Sequence, residues 1–149
     1  RYTLFMANFP TLQDVHWVSI EEILNSWLSI DSKALKTSTD ISKELTYKEW
    51  EILLTRKREE CEYEEIRPII EQEGFRMPLV YEIQDRTGKF CHCQGHHRLA
   101  CAIDLGYKYL PYVHYQWADG GCWHIADFEW DTLIHPENPL PTNPILTDK

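Results

Sequence analysis

Gln94-Gly95-His96-His97-Arg98-Leu99-Ala100 is the stretch around which the rest of this 149-residue chain is arranged. Lys89 to Cys93 before it reads as a strand, and Gly95 as a tight turn. A small apolar helix follows, running to Leu105 and stopped by Gly106. Glycine ahead of a helix N-terminus lets backbone N–H groups approach an anion closely, and the helix dipole favours negative charge there. His96, His97 and Arg98 add three cationic or hydrogen-bonding side chains at the same spot. The residues therefore predict an anion site, with phosphate as the anion. The plainer alternative is a structural turn whose histidines cap the helix.

Working outward, Pro78-Leu79-Val80-Tyr81-Glu82-Ile83 reads as a strand, with proline at its first position. The turn Asp85-Arg86-Thr87-Gly88 pairs it with the strand that leads into Gly95. Beyond the helix, Tyr109 to Tyr115 is a further strand. Asp119-Gly120-Gly121 signals a hairpin whose return strand is Cys122 to Phe128. Upstream, Val15 to Ile20 is a short β-prone run. Ser19 with Glu22 makes a capping-box pattern for a helix over about residues 20–29. Thr46 with Glu49 makes a second one, and Trp50, Leu53 and Leu54 share a face of the helix that follows. The basic run Arg56-Lys57-Arg58 is answered by Glu59, Glu60, Glu62, Glu64 and Glu65, which reads as a solvated, salt-bridged helix face. Ile66, Ile69 and Ile70 form the buried stripe of a helix that Pro68 kinks or restarts and Gly74 ends.

These elements predict an α+β domain: a small mixed β-sheet with flanking helices. We divide the chain into a lead-in segment 1–14, a domain 15–135 with a loop or insertion at 29–46, and a Pro-rich tail 136–149 that packs onto the surface or is disordered. The formal charge is −9, from 15 Lys+Arg against 24 Asp+Glu. That balance disfavours duplex DNA, whose binding rests on a basic surface. No apolar run approaches the roughly 18 residues of a membrane span. The opening residues do not read as a secretory signal, and an odd count of 5 cysteines suits reduced thiols. The expectation is a cytoplasmic setting without membrane contact.

Taken together, Ile70 to Gly74, Pro78-Leu79-Val80, Gly95-His96-His97-Arg98-Leu99-Ala100, Leu105-Gly106 and Leu110-Pro111-Tyr112-Val113 resemble the ParB/sulfiredoxin superfamily. The opening strand and helix, with Ile23 and Leu24, look similar as well. The resemblance implies that nucleotide phosphates sit on the Gly95–Arg98 turn, bound by Gly95, His96, His97 and Arg98. It implies ATP or another nucleotide as cofactor, with Mg²⁺ possible, and a phosphotransferase, kinase-like or ATPase activity. Sulfiredoxins carry a reactive cysteine where this chain has His96, which argues against that chemistry. Chromosome-partition ParB proteins have Glu-Arg-Arg after the glycine and a DNA-binding extension that is not matched here. The free serine kinase-like branch is closest, through a motif of the type D-G-H-H-R, in which this chain has Gln94 for the aspartate.

In that branch His97 would serve as acid or base, and Glu21 or Glu22 would stand near the catalytic glutamate; the helix dipole and cap explain the two glutamates equally well. Asp127 and Glu129, alternating on a strand with Asp131, are candidate metal ligands. They also support a rival reading as a ParB-like metal-dependent nuclease. A third reading keeps the fold without the chemistry, as a binding module, inhibitor or adaptor. Cys91, Cys93, Cys122 and His124 could complete a zinc tetrahedron, although C-x-C spacing also suits small core residues.

Overall fold

In the computed structural model, residues 14–31, 45–84, 87–114 and 130–147 are described. The expected hairpin at Asp119–Gly121, the strand Cys122 to Phe128, and Asp127, Glu129, Cys122 and His124 all lie outside them, as does most of the 29–46 loop.

Among the described residues, five strands form one mixed sheet: β1 (His16–Ser19), β2 (Leu28–Ser29), β3 (Leu79–Ile83), β4 (Phe90–Gln94) and β5 (Tyr109–His114), in the order β1-β5-β3-β4-β2. β3 and β4 are the antiparallel hairpin read from the sequence, with Tyr81 opposite His92. β5 runs parallel to β3, and β1 closes one edge antiparallel to β5. The other edge is β2, two residues long and parallel to β4, which places Ser29 beside His92. A helix end was expected there. The helix instead stops at Ser26, and Trp27, in extended conformation, turns the chain into the sheet.

Among the described residues, four helices accompany the sheet: α1 (Ile20–Ser26), α2 (Tyr47–Arg58), α3 (Cys61–Glu73) and α4 (His96–Asp104). Local chemistry starts the first two. The Ser19 hydroxyl accepts from the Glu22 N–H at 3.1 Å, while the Glu22 carboxylate takes the Trp27 indole N–H instead of closing a box. Thr46 and Glu49 do form a complete capping box. α2 ends where the sequence suggested that helix would continue. Glu60 adopts an extended backbone (φ −85°, ψ 148°) and α3 restarts at Cys61, so the charge-rich run is divided between two helices. Pro68 sits inside α3.

The core lies between one sheet face and the helices, built on Trp27, Trp50, Leu53, Leu79, Leu99 and Tyr112. Small residues Ala100, Cys101 and Ala102 on α4 are fully buried there and let the helices pack closely against it. Ile70 is buried as the apolar stripe predicts, but Ile69 is half exposed because that flank of α3 borders a cleft. The described part of the tail packs onto the domain. Thr142 and Asn143 donate to the carbonyls of Glu71 and Gln72, and Leu133 bridges to Phe75. Asn138 brackets the start of β5, accepting from the Lys108 and Tyr109 N–H groups and donating to the Tyr109 carbonyl. Among the described residues no helix is long and apolar enough to cross a membrane.

Candidate functional site: the Gly95 turn and its cleft

Gly95 leaves β4 with φ +106° and ψ 31°, a left-handed conformation open to glycine at little cost. A Cβ there would also meet Leu79 Cδ2 at 3.0 Å and Arg98 Nη2 at 3.1 Å. The turn is thus tight on its inner side and open on its outer one. No side chain among the described residues caps α4, whereas Ser19 and Thr46 cap α1 and α2. The first intrahelical bond is Leu99 N–H to the Gly95 carbonyl, at 2.8 Å. The N–H groups of His96, His97 and Arg98 are left as donors without intrahelical partners, as at any uncapped helix start.

This helix start opens on a cleft of about 680 Å³. Its lining combines the turn with charged Asp31, Lys57, Glu73 and Arg76 and an apolar part that includes Ile66 and Ile69 of α3, Met77 and Trp130.

The three side chains of the turn have different surroundings. Arg98 folds inward, its Nη1 donating to the Met77 carbonyl at 2.8 Å and its Nη2 to that of Pro78 at 3.3 Å. Burial lowers its pKa to about 10, so it is still a cation at neutral pH. Among the described residues no carboxylate pairs with it; its hydrogen-bond partners are neutral carbonyls.

His96 is buried against β2. Its Nε2 is 2.6 Å from Ser29 Oγ, and its Nδ1 is 3.5 Å from Asp31 Oδ2. Burial pushes its pKa down to about 4, against the opposing pull of Asp31, so it is neutral at physiological pH. The Asp31 N–H donates to Ser29 Oγ at 3.0 Å; the Asp31 carboxylate facing Nδ1 favours the imidazole proton on that nitrogen, with the Ser29 hydroxyl then donating to Nε2. The order serine, histidine, aspartate evokes a hydrolytic triad. Ser29 is fully buried and does not line the cleft, so its hydroxyl positions His96 and is not presented to a substrate. Beneath it His92 packs edge-on at 4.2 Å between ring centroids, with Nδ1 bonded to the Tyr112 hydroxyl. Burial holds the His92 pKa well below its ordinary value.

His97 faces outward. Its Nε2 is 2.8 Å from Glu60 Oε1 and 4.0 Å from Glu62 Oε2. Behind Glu60, Lys57 bonds Asp31 at 2.9 Å and reaches Glu60 at 3.6 Å, so the groups form a connected charged rim.

The other candidates are distributed differently. Glu21 and Glu22 sit in the first turn of α1, next to the β1 edge; β5 and β3 separate that edge from β4. Neither lines the cleft, and Glu21 borders a separate hollow with Tyr47 and Tyr107. What α1 delivers near the turn is its other end, through Ser29 and Asp31. No residue pattern signals this, because a two-residue parallel strand has no periodicity to read. Glu60 and Glu62 were also missed, as the break between α2 and α3 carries neither glycine nor proline. Cys91 is buried and Cys93 half-buried, with Sγ contacts to backbone carbonyls.

In comparison with known proteins, no family model matches the chain, and no curated protein matches it in sequence.

Proposed function

We propose that this protein binds a nucleotide through its phosphates at the Gly95–Arg98 turn and uses it in phosphoryl transfer or hydrolysis. The observation that carries the binding is the half-buried Arg98 guanidinium, a cation without a carboxylate partner among the described residues, set beside a helix start that has no side-chain cap. A half-buried charge held only by neutral dipoles attracts a counter-charge, and the helix N–H groups beside it, which have no intrahelical partners, favour an anion. Neutral His96 and Ser29 fix the first turn of α4 from below. His97 is the side chain of the turn left to meet ligand at the rim. The apolar wall of Ile66 and Ile69 gives the ligand's uncharged part a surface to lie on. The resemblance to the free serine kinase-like branch supports a nucleotide over a simple phosphate ester.

The test is calorimetric titration with ATP, ADP and CTP in EDTA and in Mg²⁺, with amide NMR shifts recorded on the same samples. Binding is expected to move the amides of residues 95–98, and Arg98→Met to weaken it by about tenfold or more, as for loss of a charge-assisted contact. No binding by the wild-type chain, or shifts that leave residues 95–98 untouched, would overturn the reading. Binding without turnover of any nucleotide would reduce it to a binding module.

A further inference from the structure

Glu60, Glu62 and His97 come from two helices that meet at the rim of the cleft, and each presents one donor atom. These three atoms all lie within 4.8 Å of one another. We infer that they form a binding site for a divalent transition-metal ion of the Mn²⁺ or Zn²⁺ class.

The break between α2 and α3 is what brings the donors together. Glu60 occupies the N-cap position of α3, yet its side chain makes no capping bond to that helix. It reaches across to His97 instead, at 2.8 Å. Glu62, two residues on, directs Oε2 to 4.0 Å from the same nitrogen. An ion with bonds of about 2.0–2.2 Å needs donors about 3 Å apart, so small side-chain rotations close the set. Two carboxylates and a neutral imidazole carry a charge of −2, which a divalent cation cancels. An imidazole among the donors favours Mn²⁺ or Zn²⁺ over Mg²⁺ and Ca²⁺, which prefer oxygen alone. All three residues keep solvent access, with side-chain exposures of 45% for Glu60, 54% for Glu62 and 23% for His97. Three protein ligands with water at the remaining positions make an open site, the arrangement that admits a further ligand.

The ion would also resolve an electrostatic conflict. Asp31, Glu60 and Glu62 stand close to a turn whose donors call for an anion, and Lys57 is the cation placed between Asp31 and Glu60. A metal at His97 would neutralise the rim and leave open positions facing the cleft for a phosphate oxygen. The donor set stands without the nucleotide reading; only this last consequence rests on it.

The experiment is titration of the tag-free full chain with Mn²⁺ and Zn²⁺ alone, with no nucleotide, by calorimetry and by Mn²⁺ electron paramagnetic resonance. Cys61 is exposed, with Sγ 3.6 Å from Glu62 Oε2, so a Cys61→Ser variant is titrated in parallel to remove thiol binding. The expected result is one equivalent bound by wild type and by Cys61→Ser. Affinity should fall by about tenfold or more in Glu60→Gln and in Glu62→Gln. Thermal unfolding without metal shows whether each variant is folded, and both exposed carboxylates tolerate the amide sterically. No binding below millimolar metal, or affinity unchanged from wild type in both glutamine variants, would overturn the inference. Nucleotide titration in EDTA reads the phosphate turn separately, so loss of one activity does not imply loss of the other.

Discussion

At the scale of single residues the two histidines of the turn divide along burial. His96 lies in the protein with both nitrogens facing Ser29 and Asp31, and Lys57, His97 and Glu60 add their fields from α2, α4 and the helix junction. Its native pKa is about 4 against an ordinary 6.5. Between those values the unfolded chain binds a proton that the folded chain refuses. Stability is therefore full above about pH 6.5 and falls as pH drops toward 4, by on the order of 3 kcal/mol for this group. His92 is displaced in the same direction and steepens the fall. Asp31 and Asp104, held below the ordinary carboxylate value, lose their contributions only at lower pH, below about 3.8. Urea unfolding at pH 7, 6, 5 and 4.5 should show the midpoint falling steadily across the series. A flat midpoint over that range would contradict a buried, neutral His96. None of this was visible in the sequence, where adjacent histidines look equivalent and only the distant Ser29 distinguishes them.

At the scale of elements, legibility followed the range of the interactions involved. The α2 capping box, the Gly74 and Gly106 stops and the β3–β4 hairpin depend on neighbours within a few residues, and the sequence states them directly. The break at Glu59–Glu60 is not local. Arg58 pairs with Asp104 at 2.8 Å, and Tyr63 bonds the same carboxylate, so α4 holds both sides of the junction. The expected salt-bridged face keeps one local pair, Lys57 to Glu60, while Lys57 and Arg58 also pair with Asp31 and Asp104 from distant segments, which no spacing rule predicts. The turn ahead of α4 was legible because glycine has a conformational reason to be there. Gly95→Ala should be destabilising by about 1–3 kcal/mol, from left-handed strain and from crowding of Leu79. It should also weaken phosphate binding more than Gly88→Ala, since Gly88 shares the positive φ but has nothing within 4 Å of a built Cβ. Chemical denaturation of the two variants, paired with ADP titration, separates backbone strain from loss of the site.

At the scale of the whole molecule the cleft depends on a segment remote in sequence. Residues 130–147 run across the end of α3 and supply Trp130 to the cleft wall. The contact is close at Gly74 (φ +73°), where an added Cβ would meet Pro141 Cγ at 2.6 Å and Thr132 Cγ2 at 2.8 Å. Composition left the Pro-rich tail 136–149 either packed onto the surface or disordered, because a chain without periodicity gives no face to assign. The described part is packed, and its attachment runs through backbone and hydroxyl groups. Thr132 donates its hydroxyl to the Glu73 carbonyl at 2.7 Å and accepts from the Ile145 N–H at 2.8 Å, and the Thr132 N–H donates to the Ile145 carbonyl. Gly74→Ala should therefore act first on this segment, since pushing Pro141 and Thr132 away breaks those bonds while leaving β3 and β4 paired. Hydrogen exchange should show lost protection at Thr132, Leu133, Asn143 and Ile145, with the amides of β3 and β4 still protected. If the cleft wall is built as described, ligand affinity falls in the same variant although every residue of the Gly95 turn is intact. Unchanged exchange in the segment would mean that the close contact at Gly74 relaxes without releasing it.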